Sequence, residues 1–411
     1  MLRVLHTSDW HLGHWLHELS REYEHESFLG WLVAALERES VDALLIAGDV
    51  FEAASPPVHA VAMWFRFLAA ARRRLPALDV VVIGGNHDSP ARLDAPNPML
   101  AAFGIHVVGS VRGAAGEMVV PLHDAAGRVA AQVAAVPFLR PADLPRPQQP
   151  ADDALVEGVR VLYGQVLDAA RARLAPDQAL IAMGHCYMVG TEASYASERR
   201  ILGGNQHPLP VSLFPDDVAY AALGHLHKAQ RVGRRDHVRY CGAPIPLAMG
   251  EARYRNQVVI CDFDGAALAE VRAVEVPRAV ELLRVPAVRP APLREVLPLL
   301  RALDPRDPSV PDDRRPYLEV RVALPRPEPG LRRHVEDALA DRQPRLVKLE
   351  VQYTGDGLSL GDAVPGTSLK DLRPEDVFVK RYRRDHRDPP GDELMAAFAE
   401  LLDEVHREKR P

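Results

Sequence analysis

Short runs of branched aliphatic residues alternate along this chain with longer segments of helical spacing, and the alternation persists for roughly the first 275 residues. Strands are predicted at 2–6, 43–47 and 80–83, with helices over 22–39 and 58–74 between them. Runs such as Val80-Val81-Val82-Ile83 are apolar on both faces, as strands of a mainly parallel sheet covered by helices must be. Further strands are expected at 129–136, 179–183, 218–223, 238–241 and 257–263, with a helix over 153–174. The strands after Tyr220 are short and separated by turns, which predicts a second sheet. The proline-heavy stretch 140–150 reads as a surface loop.

Beyond Pro277 the rhythm changes. A strand at 280–285, a helix at 293–303, a strand at 317–324, a helix at 331–340 and a strand at 346–353 predict a smaller α+β unit over 277–355. The tail, 366–411, ends in an amphipathic helix: Leu394, Ala397, Phe398, Leu401, Leu402 and Val405 recur at helical spacing, with Asp392 placed to cap its start. No internal repeat interrupts this order. The fold class is therefore α/β, with a large first domain over 1–275, a small α+β domain, and C-terminal helices.

At 411 residues, 47% hydrophobic and 26% charged, the chain has the make-up of a soluble globular protein of two or three units. Its net charge of −6 does not announce a nucleic-acid partner, so such evidence has to be local. Basic clusters occur at Arg199-Arg200, at Lys228 with Arg231, Arg234 and Arg235, and at Lys380-Arg381-Tyr382-Arg383-Arg384; each alone is most simply a solvated face. Cys186, Cys241 and Cys261 have neither metal nor redox spacing, and their odd number argues against a disulfide framework. The first apolar run leads directly into Asp9, leaving no room for a signal peptide, and no run approaches the roughly 20 residues of a membrane span. A cytoplasmic protein without membrane attachment is expected.

The chemistry sits in five polar motifs, each at or just past the end of an apolar run: Asp9-Trp10-His11, Gly48-Asp49, Gly85-Asn86-His87-Asp88, Gly184-His185 and Gly224-His225-Leu226-His227. Open α/β sheets carry their sites at the carboxyl ends of strands. Each motif alone is weak, since Gly-Asp is common in turns and a lone histidine is ordinarily a hydrogen-bonding group. In this order and placement they form a donor set for two divalent cations. A carboxylate can join two ions by lending one oxygen to each, and Asp49 is the candidate bridge. Asp9 with His11, and His225 with His227, are expected to share a face of extended backbone, as residues i and i+2 do. Two aspartates against two dications leave about +2 charge, suited to gripping a phosphate ester. Water shared by two such ions becomes hydroxide near neutral pH and can attack phosphorus in line.

The series D-x-H, G-D, G-N-H-[DE], G-H and G-H-x-H resembles that of the calcineurin-like metallophosphoesterases. The resemblance implies a two-sheet sandwich flanked by helices. It also implies one metal held by Asp9, His11, Asp49 and His227, and the other by Asp49, Asn86, His185 and His225. His87 would contact the scissile phosphate and stabilise or protonate the leaving oxygen without being a ligand. Glu52 stands where family members often carry Asp, and with Asp88 it is a candidate for the layer behind the ligands.

Longer passages, Gly48-Asp49-Val50-Phe51, the nine residues from Gly85 to Leu93, Ala222 to His227 and Tyr240-Cys241-Gly242-Ala243-Pro244, are similar to the double-strand-break repair nucleases within that superfamily. This closer likeness implies a manganese-dependent DNA nuclease, a 3'-to-5' double-strand exonuclease and single-strand or hairpin endonuclease. It further implies a capping domain, C-terminal helices that dock on an SMC-like ATPase, and a homodimer within a heterotetramer. The alternatives are a small-molecule phosphatase or cyclic-nucleotide phosphodiesterase on the same core, or a non-catalytic scaffold for the ATPase. A small-substrate enzyme has little use for the 130 or so residues beyond the core, and a scaffold would have lost ligands that this chain keeps.

Overall fold

A computed structural model describes residues 1–111, 113–145, 153–192 and 208–354, and beyond them 378–379, 381–383, 386, 389–391, 394–395 and 397–398. In chain order it begins with β1 (Leu2–Thr7), a small hairpin of β2 (Trp15–Leu16) and β3 (Leu19–Ser20), α1 (Glu22–Arg38), β4 (Ala43–Ala47), α2 (Val58–Arg74) and β5 (Asp79–Ile83). The short helices α3 (Pro90–Asp94) and α4 (Asn97–Ala101) lead to β6 (Ile105–Val108). Then come β7 (Val119–His123), β8 (Val129–Ala135), α5 (Ala154–Arg171), β9 (Ala179–His185), β10 (Tyr220–Gly224), β11 (Gln230–Val232), β12 (Arg235–Tyr240), β13 (Gln257–Asp264) and β14 (Ala267–Glu275).

Two six-stranded sheets result. The first has the order β14-β13-β1-β4-β5-β6, parallel from β1 to β6, with the β13–β14 pair added antiparallel. The second has the order β11-β12-β10-β9-β8-β7, parallel from β12 to β8 with an antiparallel strand at each edge. Alternate residues of a strand face opposite ways, and the first sheet uses both faces. Val4, Leu45 and Val81 point into the core shared with the second sheet, whereas Leu5, Ile46 and Val82 point into the core made with α1 and α2. Each such side chain, fully buried, contributes about 1.5–3 kcal/mol, so strands covered on both faces are the rigid part of the molecule. Their carboxyl ends are where the five motifs lie.

Every strand and helix predicted within residues 1–354 is present, with ends displaced by a few residues. The pattern passed over β2, β3, β11, α3, α4 and the strand Ala291–Pro292, all of five residues or fewer, and also β6, β7 and β14. Of these last three, β6 is only four residues long, β7 contains Pro121, and β14 is an edge strand whose sequence alternates with charges, so none has a continuous apolar run.

The smaller unit consists of β15 (Leu282–Val285), β16 (Ala291–Pro292), α6 (Leu293–Arg301), β17 (Tyr317–Leu324), α7 (Leu331–Leu339) and β18 (Arg345–Tyr353). β17 is central, pairing with β15 in parallel and also with β16 and β18. Tyr317 and Leu282 of this sheet pack with Leu16 and Met249, which seats it against the hairpin and the loop after β12.

By Cα proximity the chain divides into Met1–Val322 with Pro329–Gln352, and Ala323–Glu328 with Tyr353–Pro411. Within the second unit the Phe378 and Phe398 rings stack at 4.1 Å, and Tyr382 stacks on His386 at 4.2 Å. Leu394, Ala397 and Phe398 of the predicted terminal helix are helical; its cap, Asp392, and Leu401, Leu402 and Val405 lie outside the described residues.

Candidate metal centre

Two of the motif glycines owe their identity to the crowding of these loops. Gly48 has φ +88°, a conformation in which a side chain is strained, and a Cβ there would collide with the His185 ring. A Cβ on Gly224 would run into the carbonyl oxygen of Ala47. The tips of β4, β9 and β10 therefore approach to backbone contact, and the side chains that follow are forced together.

Asp9, His11, Asp49, His185 and His227 are buried, while Asn86, His87, His225 and Glu52 are partly exposed and form the rim. Asp9, His11 and His227 present donor atoms all within 4.8 Å of one another, as do Asp9, Asp49 and His185. Asp49 Oδ2 lies 3.6 Å from His11 Nε2 and 3.3 Å from His185 Nε2. Asn86 Oδ1 lies 2.9 Å from both His185 Nε2 and His225 Nδ1. The Asp49 carboxylate also meets the loop after β5: Oδ1 accepts the backbone N–H of His87 at 2.8 Å, and Oδ2 faces both His11 and His185.

The backbone departs from expectation. Asp9 and His11 have φ of 54° and 49°, Asp49 51° and His225 103°, so these residues sit in left-handed turns and not on extended strands. Such conformations cost about 1–3 kcal/mol each in non-glycine residues and persist only where the surroundings impose them. Here Asp9 N donates to Gly48 O and His11 N to Asp49 O, both at 3.0 Å, and His225 N donates to Asp9 Oδ1 at 2.9 Å. The three loops brace one another.

Each buried imidazole has its outward nitrogen engaged. His11 Nδ1 donates to Glu52 Oε2 at 2.9 Å, His227 Nδ1 to Glu251 Oε1 at 3.0 Å and His185 Nδ1 to Ala47 O at 2.8 Å. This fixes the tautomer that leaves Nε2 free for a cation, the arrangement usual behind metal-bound histidines. His11 Nε2 is buried with no hydrogen-bond partner among the described residues. An orphaned imidazole nitrogen facing a shared carboxylate oxygen, in a set of oxygen and nitrogen donors, fits a pair of divalent cations.

The protonation of the group agrees. Burial, opposed by Glu52, keeps the His11 imidazole low, and burial with the nearby His185 charge pushes His225 down to about 3. Burial also pulls on His185, but the Asp49 carboxylate outweighs it and lifts His185 to about 9. Burial likewise works against the Asp49 carboxylate, and His185 and His11 hold it well below the usual range. Asp49 is thus an anion whose partner proton on His185 a cation would replace.

His87 Nδ1 donates to the backbone carbonyl of Glu52 at 2.8 Å, and its ring lies edge-on to His11 at 4.7 Å. Glu52 therefore orients two histidines, one through its side chain and one through its main chain. Asp88 is in no donor cluster among the described residues; its carboxylate accepts the backbone N–H groups of Phe51 and Gly85 at 2.9 Å and of Val50 at 3.2 Å, pinning the loop after β4 to the loop after β5. Burial and the Asp49 charge push it up to about 6.

Sequence reasoning missed Glu251, which follows the apolar stretch Ile245 to Met249, together with Ser8, whose hydroxyl donates to Asp9, and His14, which lies 3.2 Å from Glu52 Oε2. A carboxylate closing an otherwise apolar run is the only local signal for Glu251. Of the basic clusters, Lys228 pairs with Glu192, Arg231 with Asp236 at 2.5 Å and Arg235 with Asp216 at 3.1 Å, so much of that charge is met internally. Arg199-Arg200 lies outside the described residues. All three cysteines are buried and free.

Two sheets whose facing strand tips converge a D-x-H, a G-D, a G-N-H and two histidine motifs on one carboxylate define a calcineurin-like phosphoesterase, and the profile of that family matches residues 2–229. The profile of the type 5 capsule protein repressor C-terminal domain matches residues 278–386. The chain is 38% identical over 394 residues to the D subunit of nuclease SbcCD from Rhodobacter capsulatus, covering 93% of this chain and 94% of that one. It is 37% identical over 282 residues to the corresponding SbcCD protein of Escherichia coli K12, covering 67% and 68%. The DNA double-strand break repair protein Mre11 of Methanopyrus kandleri matches at 27% over 308 residues, covering 68% and 58%. This chain belongs to the family of SbcCD nuclease D subunits within the calcineurin-like phosphoesterases.

Proposed function

We propose that the chain is the nuclease subunit of an SbcCD-type complex. On this reading it is a metal-dependent DNA phosphodiesterase, a 3'-to-5' double-strand exonuclease and single-strand or hairpin endonuclease. It acts in DNA repair, recombination and replication with an SbcC-type SMC-like ATPase. The observation that carries the reading is the convergence of Asp9, His11, Asp49, Asn86, His185, His225 and His227, in a chain alignable with such a subunit over nearly its whole length.

One cation is assigned to Asp9, His11, Asp49 and His227, and the other to Asp49, Asn86, His185 and His225. Bound there, divalent cations polarise a phosphodiester and bring the pKa of water toward neutrality. Asp49 would be shared by the two halves, and Glu52, Glu251 and the Ala47 carbonyl fix Nδ1 as the donor nitrogen of His11, His227 and His185 and aim each Nε2 inward. His87, tied by Nδ1 to Glu52, offers Nε2 to the leaving oxygen and stabilises or protonates it. Mixed imidazole, amide and carboxylate donors are too nitrogen-rich for magnesium and lack the thiolates of many zinc sites, which favours manganese.

The domain assignment is 1–275 for the phosphoesterase, 277–355 for the cap and 366–411 for the ATPase-binding region. The subunit is read as a homodimer within a heterotetramer, two-fold pairing being the common arrangement. A cytoplasmic location agrees with the finding that among the described residues no helix is long and apolar enough to cross a membrane.

The test compares end-labelled duplex, hairpin and single-stranded DNA with a generic phosphate monoester, in manganese, with and without the ATPase and ATP. DNA cleavage exceeding monoester hydrolysis, and rising on duplex ends with the ATPase and ATP, is expected. Preferential monoester turnover in every condition would assign the site to a phosphatase.

A further inference from the structure

Below the metal centre lies a second buried polar cluster that the proposed chemistry does not use. Arg21 is completely buried, Glu24 nearly so, and Tyr317, contributed by β17 of the small sheet, is also completely buried. Arg21 grips Glu24 with a two-pronged ion pair, the Nη2 to Oε1 arm being 2.6 Å. The Tyr317 hydroxyl donates to Glu24 Oε2 at 2.8 Å, and the Arg21 guanidinium lies 5.4 Å from the Tyr317 ring centre. Burial and the Glu24 charge push the Tyr317 hydroxyl up to about 12, so it remains a donor throughout the neutral range.

The remaining arm of Arg21 leads out of the cluster. Its Nη1 donates to Pro246 O at 2.8 Å. The next residue, Leu247, donates its N–H to Glu251 Oε2 at 2.7 Å, and Glu251 Oε1 accepts from His227 Nδ1 at 3.0 Å. From the same helix turn, His25 Nε2 donates at 3.1 Å to the carbonyl of Trp10, between Asp9 and His11. Two short chains of contacts therefore run from a hydroxyl of the small sheet to the group formed by Asp9, His11 and His227. The loop they reach is not held by packing on every side. A cleft of about 290 Å³ lies between Trp15, Leu247, Gly250 and Lys348 of β18, and the Pro246 carbonyl, beside the Leu247 carbonyl that accepts from His14 Nε2 at 2.9 Å, is one of the points at which the Glu251 loop is tied.

A buried ion pair with a partner removed is costly, whereas a satisfied one fixes geometry. We propose that Tyr317 is a positioning residue for the metal centre: through Glu24 and Arg21 it sets the loop that carries Glu251, and so the readiness of His227, with Asp9 and His11, to accept a cation. The Tyr317 hydroxyl thereby bears on one half of the site and not on the half formed by Asn86, His185 and His225. This inference rests on the two-cation reading above.

Manganese titration calorimetry on the full chain tests it. Tyr317→Phe keeps the ring and removes only the hydroxyl. It is expected to weaken one of two binding steps by about 3- to 10-fold, less than the 10- to 100-fold typical of a direct partner of a metal-bound histidine, and to leave the other step unchanged. Arg21→Lys, which keeps the charge but loses the fork, should weaken the same step by about tenfold or more. Leu282→Ala loosens the same seam by apolar packing alone and should leave both steps intact, though it lowers the melting temperature. Unchanged binding in Tyr317→Phe and Arg21→Lys overturns the inference, and so does equal weakening in Leu282→Ala. If the wild-type chain itself does not take up two ions, the two-cation reading fails first, and the inference falls with it.

Discussion

At the residue scale, the acceptors behind the histidines decide where the donor nitrogens point: Glu52 holds His11, Glu251 holds His227 and the Ala47 carbonyl holds His185. Short motifs survive as patterns because neighbouring residues act together, and Asp9, His11, Asp49, Asn86, His185, His225 and His227 all stand in such motifs. Glu251 is far from His227 in sequence and meets it only through the fold, and the Ala47 carbonyl has no side chain to announce it. The left-handed turns at Asp9, His11 and Asp49 were equally hidden, because none of these residues is glycine. Glu251→Gln keeps the shape but removes the charge facing His227. Affinity for one of two manganese ions should fall about 10- to 100-fold with the other unchanged, and two unaltered steps in a calorimetric titration would remove Glu251 from the account. His87→Ala should retain both ions by metal analysis while cleavage slows by about 10²- to 10⁴-fold, the range for a lost acid–base group. Loss of a bound ion in that variant would make His87 a ligand instead.

At the scale of elements, runs apolar on both faces identified β4 and β5, as strands covered on both faces carry them. Edge strands such as β14 escaped, because exposure lets charge alternate with apolar residues. Buried polar groups on β17 escaped too: Glu319 is completely buried within a strand that otherwise reads as core. It survives there because Arg284 pairs with it and Lys348 Nζ donates to it at 2.7 Å. Burial pushes its carboxyl up, but these partners more than offset that and leave it below the ordinary 4.5. A depressed folded-state value means stability that is present above pH 4.5 and is lost as pH falls through the folded value. The melting temperature of the wild type should therefore drop steeply on acidification below that point. Glu319→Gln should be less stable near neutrality and flatter in acid. Parallel pH profiles for the two proteins would show that the pair contributes nothing.

At the scale of the whole molecule, the two large sheets place the candidate donors on facing strand tips, and the small sheet contacts the loops behind them through the Tyr317 cluster. The fold class was legible because strand–helix alternation is a long-range pattern; the seating of the small sheet was not, resting as it does on single residues such as Arg21 and Glu24. The central claim is that Asp49 would be shared by two divalent cations and that DNA cleavage depends on it. The most direct measurement is manganese-dependent cleavage of end-labelled DNA by Asp49→Ala beside the wild type, each with the SMC-like ATPase and ATP. Cleavage should fall to background in Asp49→Ala while the protein remains folded. Appreciable manganese-dependent cleavage by that variant would contradict the account.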